Sequence, residues 1–131
     1  IIQTFLNSRR GEEVCVRQRG LNGHYIYFQT ISNKENKNQI IKTEKRLSQE
    51  EYLKLLMEAD TSKRQIRKTR YCLTHQSQYF EIDVYPFWSD QAIAEIKLSD
   101  ENAAVVFPEQ LAVIREVTGD PSYSNSVLAD M

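Results

Sequence analysis

Apolar and polar residues exchange places at every second position through most of this chain, and a period of two belongs to strands with unlike faces. Val14 and Val16 fall on one side of their segment, Arg17 and Arg19 on the other. The same habit recurs in Ile40 to Leu47, Arg64 to Leu73, Tyr79 to Tyr85 and Ala92 to Leu98, and Ile1 to Leu6 is a further strand candidate. Tyr25 to Thr30 is aromatic and β-prone, and Ala103 to Phe107 and Ile114 to Thr118 read as further short strands. Leu21-Asn22-Gly23 predicts a hairpin turn, and the polar stretch Ser32 to Gln39 predicts a loop. Helices are the minority. Ser48-Gln49-Glu50-Glu51 is a capping box, and Tyr52, Leu55 and Leu56 behind it predict an amphipathic helix over Ser48 to Ala59. Pro108 to Val113 predicts a short helix opening on proline, and Pro121 begins another. The class is α+β, dominated by antiparallel strands.

Size and charge narrow the functions. The 131 residues suit one domain spanning 1–131, with a single core. The chain opens on Ile1, not Met, and we expect a short N-terminal piece to precede it. A formal net charge of −1 argues against a dedicated nucleic-acid binder, whose footprint is strongly basic. No apolar run approaches the length that spans a bilayer, and the start lacks the pattern of a secretory signal. Cys15 and Cys72 have neither a disulfide framework nor metal spacing, so they read as passive thiols in a reducing, cytoplasmic setting. His24 and His75 near turns read as solvated, and Trp88 after Pro86-Phe87 reads as packing at a strand end.

Like charges recur at two-residue spacing: Arg17/Arg19, Lys68/Arg70, Glu81/Asp83. For any one pair a solvated sheet face is a sufficient reading. Taken together they also suit a closed barrel whose charged faces line the interior, where they need ion pairs, water or an anionic ligand. Arginines two apart on one strand make a clamp for polyphosphate, since each guanidinium donates parallel hydrogen bonds. No P-loop occurs, so side chains would have to hold the phosphates.

At this point the motifs resemble those of the CYTH family, the triphosphate tunnel metalloenzymes, across nearly the whole chain. Ile1 to Leu6 resembles the opening E-x-E-x-K strand, and Val16-Arg17-Gln18-Arg19-Gly20 the R-x-R strand. Leu47-Ser48 with Glu51-Tyr52 and Leu55-Leu56 resembles the first helix, and Ile66-Arg67-Lys68-Thr69-Arg70 the K-x-R strand. Tyr79 to Tyr85 is similar to the strand that supplies an acidic metal ligand, Ala94 to Leu98 to the following E-x-E strand, and Glu116 to Asp120 with Tyr123 and Asn125 to the closing segment of short bacterial members.

The resemblance implies a closed antiparallel β-barrel of about eight strands with a few flanking helices outside. It implies a basic interior that binds a triphosphate or nucleotide, and hydrolysis of inorganic, thiamine or nucleoside triphosphate, with adenylate cyclisation as an alternative. Arg17, Arg19, Lys68, Arg70 and Lys97 would bind substrate around one cavity, Glu95 and Glu44 would be catalytic, and Asp83 and Glu95 would hold Mg²⁺ or Mn²⁺. Homodimers are common among such proteins. The chain departs from the pattern at Ile2 and Thr4, which take the places of a Glu and the Lys, and at Lys97, which takes the place of a carboxylate. The metal site is therefore expected to be weak, and a binding module without turnover is the second reading. A barrel whose charges only pair with one another is the third.

Overall fold

Where the two faces of a strand differ this much, each strand needs partners that keep its faces in register. The computed structural model describes residues 1–36, 39–98 and 103–130, and its eight strands all pair antiparallel. The pairing runs in two sheets, ordered β4-β3-β2-β1-β5 and β6-β7-β8. The chain falls into two compact units, one made of 1–67 with 120–131 and the other of 68–119.

In the first unit the strands are β1 (Ile2–Leu6), β2 (Glu12–Leu21), β3 (His24–Asn36), β4 (Gln39–Leu47) and the two-residue β5 (Ile66–Arg67). β2, β3 and β4 form a continuous meander. Its first turn is the expected one, with Asn22 and Gly23 both at positive φ as a two-residue hairpin requires. The second turn corrects the loop expected at Ser32 to Gln39. The ladder continues through Ser32↔Lys42 and Asn33↔Ile41, and 37–38 lie outside the described residues. Polar side chains do not stop a strand when the backbone has a partner on each side.

Helix α1 (Gln49–Leu56) is held at its start by the capping box: Glu51 N–H donates to Ser48 Oγ, and Ser48 N–H donates to Glu51 Oε1, both at 3.1 Å. It covers one face of the sheet. Leu6, Val14, Val16, Leu47 and Tyr52 are buried there, and the Tyr27 and Tyr52 rings stand 4.7 Å apart. Each such side chain contributes roughly 1.5–3 kcal/mol on burial. A 3-10 turn (Pro121–Tyr123) and the short α2 (Asn125–Leu128) complete the unit, where Lys63 Nζ donates to Ser126 O at 3.2 Å and bonds Asp130 Oδ1 at 2.8 Å.

The second unit is the meander β6 (Thr69–His75), β7 (Gln78–Val84) and β8 (Ile93–Lys97). The single strand expected over Arg64 to Leu73 is thus two: β5 ends at Arg67, β6 starts at Thr69, and they belong to different sheets. Phe80 is fully buried, with the Phe107 ring 6.1 Å away. Trp88 packs at the strand end as expected, against Tyr85 and Phe87.

Ala103–Phe107 and Ile114–Thr118 are not strands, and Pro108 to Val113 makes one turn instead of a helix. Along Ala103–Phe107 the backbone meets Gln78. Its side-chain amide donates to Ala104 O at 2.8 Å and accepts from Val106 N–H at 2.9 Å, taking the place of a neighbouring strand.

The β6–β7 turn places Gln76 at φ 50° and Ser77 at φ 61°, where a side chain crowds the backbone. Ser77→Gly is expected to stabilise the fold by about 0.5–1 kcal/mol, the relief of left-handed strain less the added freedom of the unfolded chain. Urea unfolding checks it: the midpoint should rise with the slope unchanged.

Candidate functional site

Directly opposed residues in antiparallel strands share a face, so the pairings sort the charges. In the five-stranded sheet the face away from α1 carries the row Gln3, Arg17, Phe28 and Arg46 across β1 to β4. The next row is Phe5, Cys15, Thr30 and Glu44, and Arg19 and Lys42 lie on the same face. That face therefore holds Arg17, Arg19, Lys42 and Arg46 against Glu13 and Glu44, an excess of cations.

Arg17 is the most constrained of these. Its guanidinium lies 5.5 Å from the centre of the Phe28 ring, and its Nη2 is 3.8 Å from Glu44 Oε2, a long contact to a half-exposed carboxylate. Arg17 Nε is buried, and among the described residues no acceptor reaches it. A buried guanidinium N–H without an acceptor costs about 1–3 kcal/mol or more. Behind it, Asn125 Nδ2 donates to Gln3 Oε1 at 2.9 Å, and Gln3 Nε2 donates to Cys15 Sγ at 3.2 Å. Burial pushes the Cys15 thiol up, which suits a passive thiol.

The register also corrects the first-strand alignment. Ile2 and Thr4 lie opposite Gln18 and Val16, on the helix-covered face, whereas Gln3 lies opposite Arg17. The one-residue offset was not visible in a strand with so little alternation of its own.

In the second unit, Arg70↔Asp83, Cys72↔Glu81 and Glu81↔Glu95 share one face, with Lys97 two residues beyond Glu95. Here the cations meet carboxylates at once. Lys68 Nζ is 2.8 Å from Asp83 Oδ2, and Arg70 Nε is 2.8 Å from Asp83 Oδ1. Arg70 Nη1 is 2.6 Å from Glu81 Oε2, while Lys97 Nζ is 3.7 Å from Glu81 Oε1 and 2.8 Å from Glu95 Oε1. Six charges alternate in sign from Lys68 to Glu95 in one connected row.

The inner end of this row is buried and the outer end, at Lys97 and Glu95, is mostly exposed. Burial alone would push the Asp83 carboxyl up, but hydrogen bonds from Arg70 and Lys68 outweigh it and hold it below the usual range. The bond to Asp83 likewise drives Arg70 further from deprotonation. Burial, with the Asp83 charge adding, pushes the Tyr85 phenol up to about 12, so it stays neutral. The bond to Glu95 raises Lys97.

The expected site residues fall in both units. Arg17 and Arg19 lie on the cation-rich face with Glu44, while Lys68, Arg70, Asp83, Glu95 and Lys97 are drawn into the ion-pair row. Glu81, Gln3, Phe28 and Arg46 are added by register alone. These residues do not fit a Mg²⁺ or Mn²⁺ site. Asp83 has both oxygens committed to Lys68 and Arg70, and Glu95 is engaged by Lys97. Among the described residues no three His, Cys, Asp or Glu side chains cluster to hold a metal.

Two crystal structures of a protein named NE1496 align with this chain at TM-scores of 0.67 and 0.66 and 26% identity, covering 99% of it and 84% and 81% of their own chains. One describes NE1496 as a hypothetical protein and the other as an inorganic triphosphatase. The chain shares the fold of that triphosphatase. No protein-family model matches the sequence, and neither does a curated protein. The likeness to NE1496 covers the β-rich architecture with its two helices. No described helix is long and apolar enough to cross a membrane.

Proposed function

We propose that this chain binds a triphosphate and hydrolyses its terminal phosphoanhydride bond. The observation that carries the reading is Arg17, whose buried Nε has no acceptor among the described residues and which lies on a face rich in cations. The likeness to NE1496 supports the substrate class. Inorganic, thiamine and nucleoside triphosphates all present the chemistry this face suits. Adenylate cyclisation is the less favoured use of it. A single domain, closed as an eight-stranded tunnel, belongs to the same proposal, supported by eight antiparallel strands and the near-complete alignment. So do a cytoplasmic setting and a homodimer.

Phosphoryl transfer asks the protein mainly for position and charge. Arg17 and Arg19 supply donors to phosphate oxygens, and Glu44, beside Arg17, orders the attacking water. Water attacks the terminal phosphorus, its bond to the bridging oxygen breaks, and the remainder leaves as the diphosphate. A divalent ion would normally screen the phosphate charge. Here the fixed cations do that, so turnover is expected to be slow.

A specific observation favours a second reading, binding without turnover: Glu81, Asp83 and Glu95 of the second unit are each held by cations. Two measurements separate the readings. Triphosphate should raise Tm, because a ligand bound only to the native state stabilises it by about 2.7 kcal/mol at a hundredfold excess over Kd. Phosphate release should follow, with EDTA, Mg²⁺ and Mn²⁺ compared. A Tm unmoved by triphosphate overturns both readings, and a rise without phosphate release selects the second.

A further inference from the structure

The β7–β8 register brings Glu81 and Glu95 directly opposite one another on the charged face. Like charges so placed repel, and a cation between them relieves the repulsion. Arg70 answers one oxygen of Glu81, at 2.6 Å from Oε2. The other oxygen, Oε1, faces Lys97 Nζ at 3.7 Å, and the same ammonium bonds Glu95 Oε1 at 2.8 Å. One side chain, two positions along β8 from Glu95, therefore bridges both carboxylates.

We propose that Lys97 Nζ stands in for a divalent cation between Glu81 and Glu95, so that this face works without metal, and that removing the ammonium turns the pair into a divalent-cation site. An ammonium carries one positive charge where a divalent ion carries two. It sheds its water more readily than a divalent ion does, and the backbone tethers it at high local concentration. A divalent ion can enter only by displacing it. The inference sharpens the triphosphate reading by taking the metal out of it, but Glu81, Glu95 and Lys97 hold this geometry whether or not a triphosphate binds.

The test is a titration of Mn²⁺ alone, without phosphate, followed by calorimetry and by loss of the free-ion electron-spin signal. Lys97→Met should bind Mn²⁺ at least tenfold more tightly than the wild type, and Lys97→Arg, which keeps the charge, should not. Adding Glu95→Gln to Lys97→Met should abolish the gain. Lys97 is largely exposed, so these variants should fold; melting curves check that, and Lys97→Gln provides a second neutral side chain. Tight Mn²⁺ binding by the wild type overturns the proposal. So does a folded Lys97→Met with no gain, or a gain that survives Glu95→Gln. Because no triphosphate is present, none of these results bears on whether the chain binds one.

Discussion

Asp83→Ala is expected to destabilise the fold by about 3–5 kcal/mol, the usual cost of taking one member from a buried ion pair. Asp83 is the carboxylate shared by Lys68 and Arg70, whose side chains are 4% and 13% exposed, so its loss strips a counter-charge from two cations at once. Single domains commonly have only 5–15 kcal/mol in total, so the variant is expected to be largely unfolded on modest heating. Urea unfolding of the wild type and variant measures it. A loss below about 1 kcal/mol would mean that water replaces the carboxylate and that the row is not truly buried.

The same carboxylate sets an acid limit. Its folded-state pKa is lowered, so its stabilisation is complete above the unfolded value of about 3.9 and is lost as pH falls through the folded value. Wild-type stability should therefore fall below about pH 4. Asp83→Asn should show a shallower fall over that range, because it starts without the contribution.

Arg17→Ala is expected to weaken triphosphate binding by about 1.5–3 kcal/mol, the range for a hydrogen bond to a charged group. Arg17 contributes a buried Nε without an acceptor among the described residues and a guanidinium held over Phe28, so its geometry is set before a ligand arrives. Stability should not fall much, since the contact with Glu44 is long and half-exposed and the loss of the Phe28 contact is offset by removing the unsatisfied Nε. Calorimetric titration of inorganic triphosphate without metal measures the affinity, and an unchanged value removes Arg17 from the site. On the first strand, Gln3→Glu is the change that sets a carboxylate opposite Arg17; Ile2→Glu would put one on the helix-covered face.

Faces within a strand were legible in the sequence, and pairings between strands were not. Val14 and Val16 opposite Arg17, and Ser48 with Glu51 at the start of α1, follow from spacing inside one element. The meeting of Arg70 with Asp83, or of Glu81 with Glu95, depends on register, which no single strand encodes. Cations and acids were separated onto different strands because those strands are neighbours. Ala103 to Phe107 had the pattern of a strand, but the Gln78 amide meets its backbone groups instead. At Lys68 the change of sheet left no turn residue in the sequence, since Arg67, Lys68 and Thr69 include neither Gly nor Pro.

The brevity of β5 has a kinetic consequence. Pairings inside the β2–β3–β4 and β6–β7–β8 meanders join neighbours in sequence, so their loops close early at small entropic cost. β1 meets β5 only at Ile2↔Arg67 and Gln3↔Ile66, after some sixty intervening residues have been gathered in. This contact is expected to be the last of the first sheet to form and the first to open. The amides of Ile66 and Arg67 should exchange with solvent well before those at the centre of β2, through local opening that leaves the rest of the sheet intact.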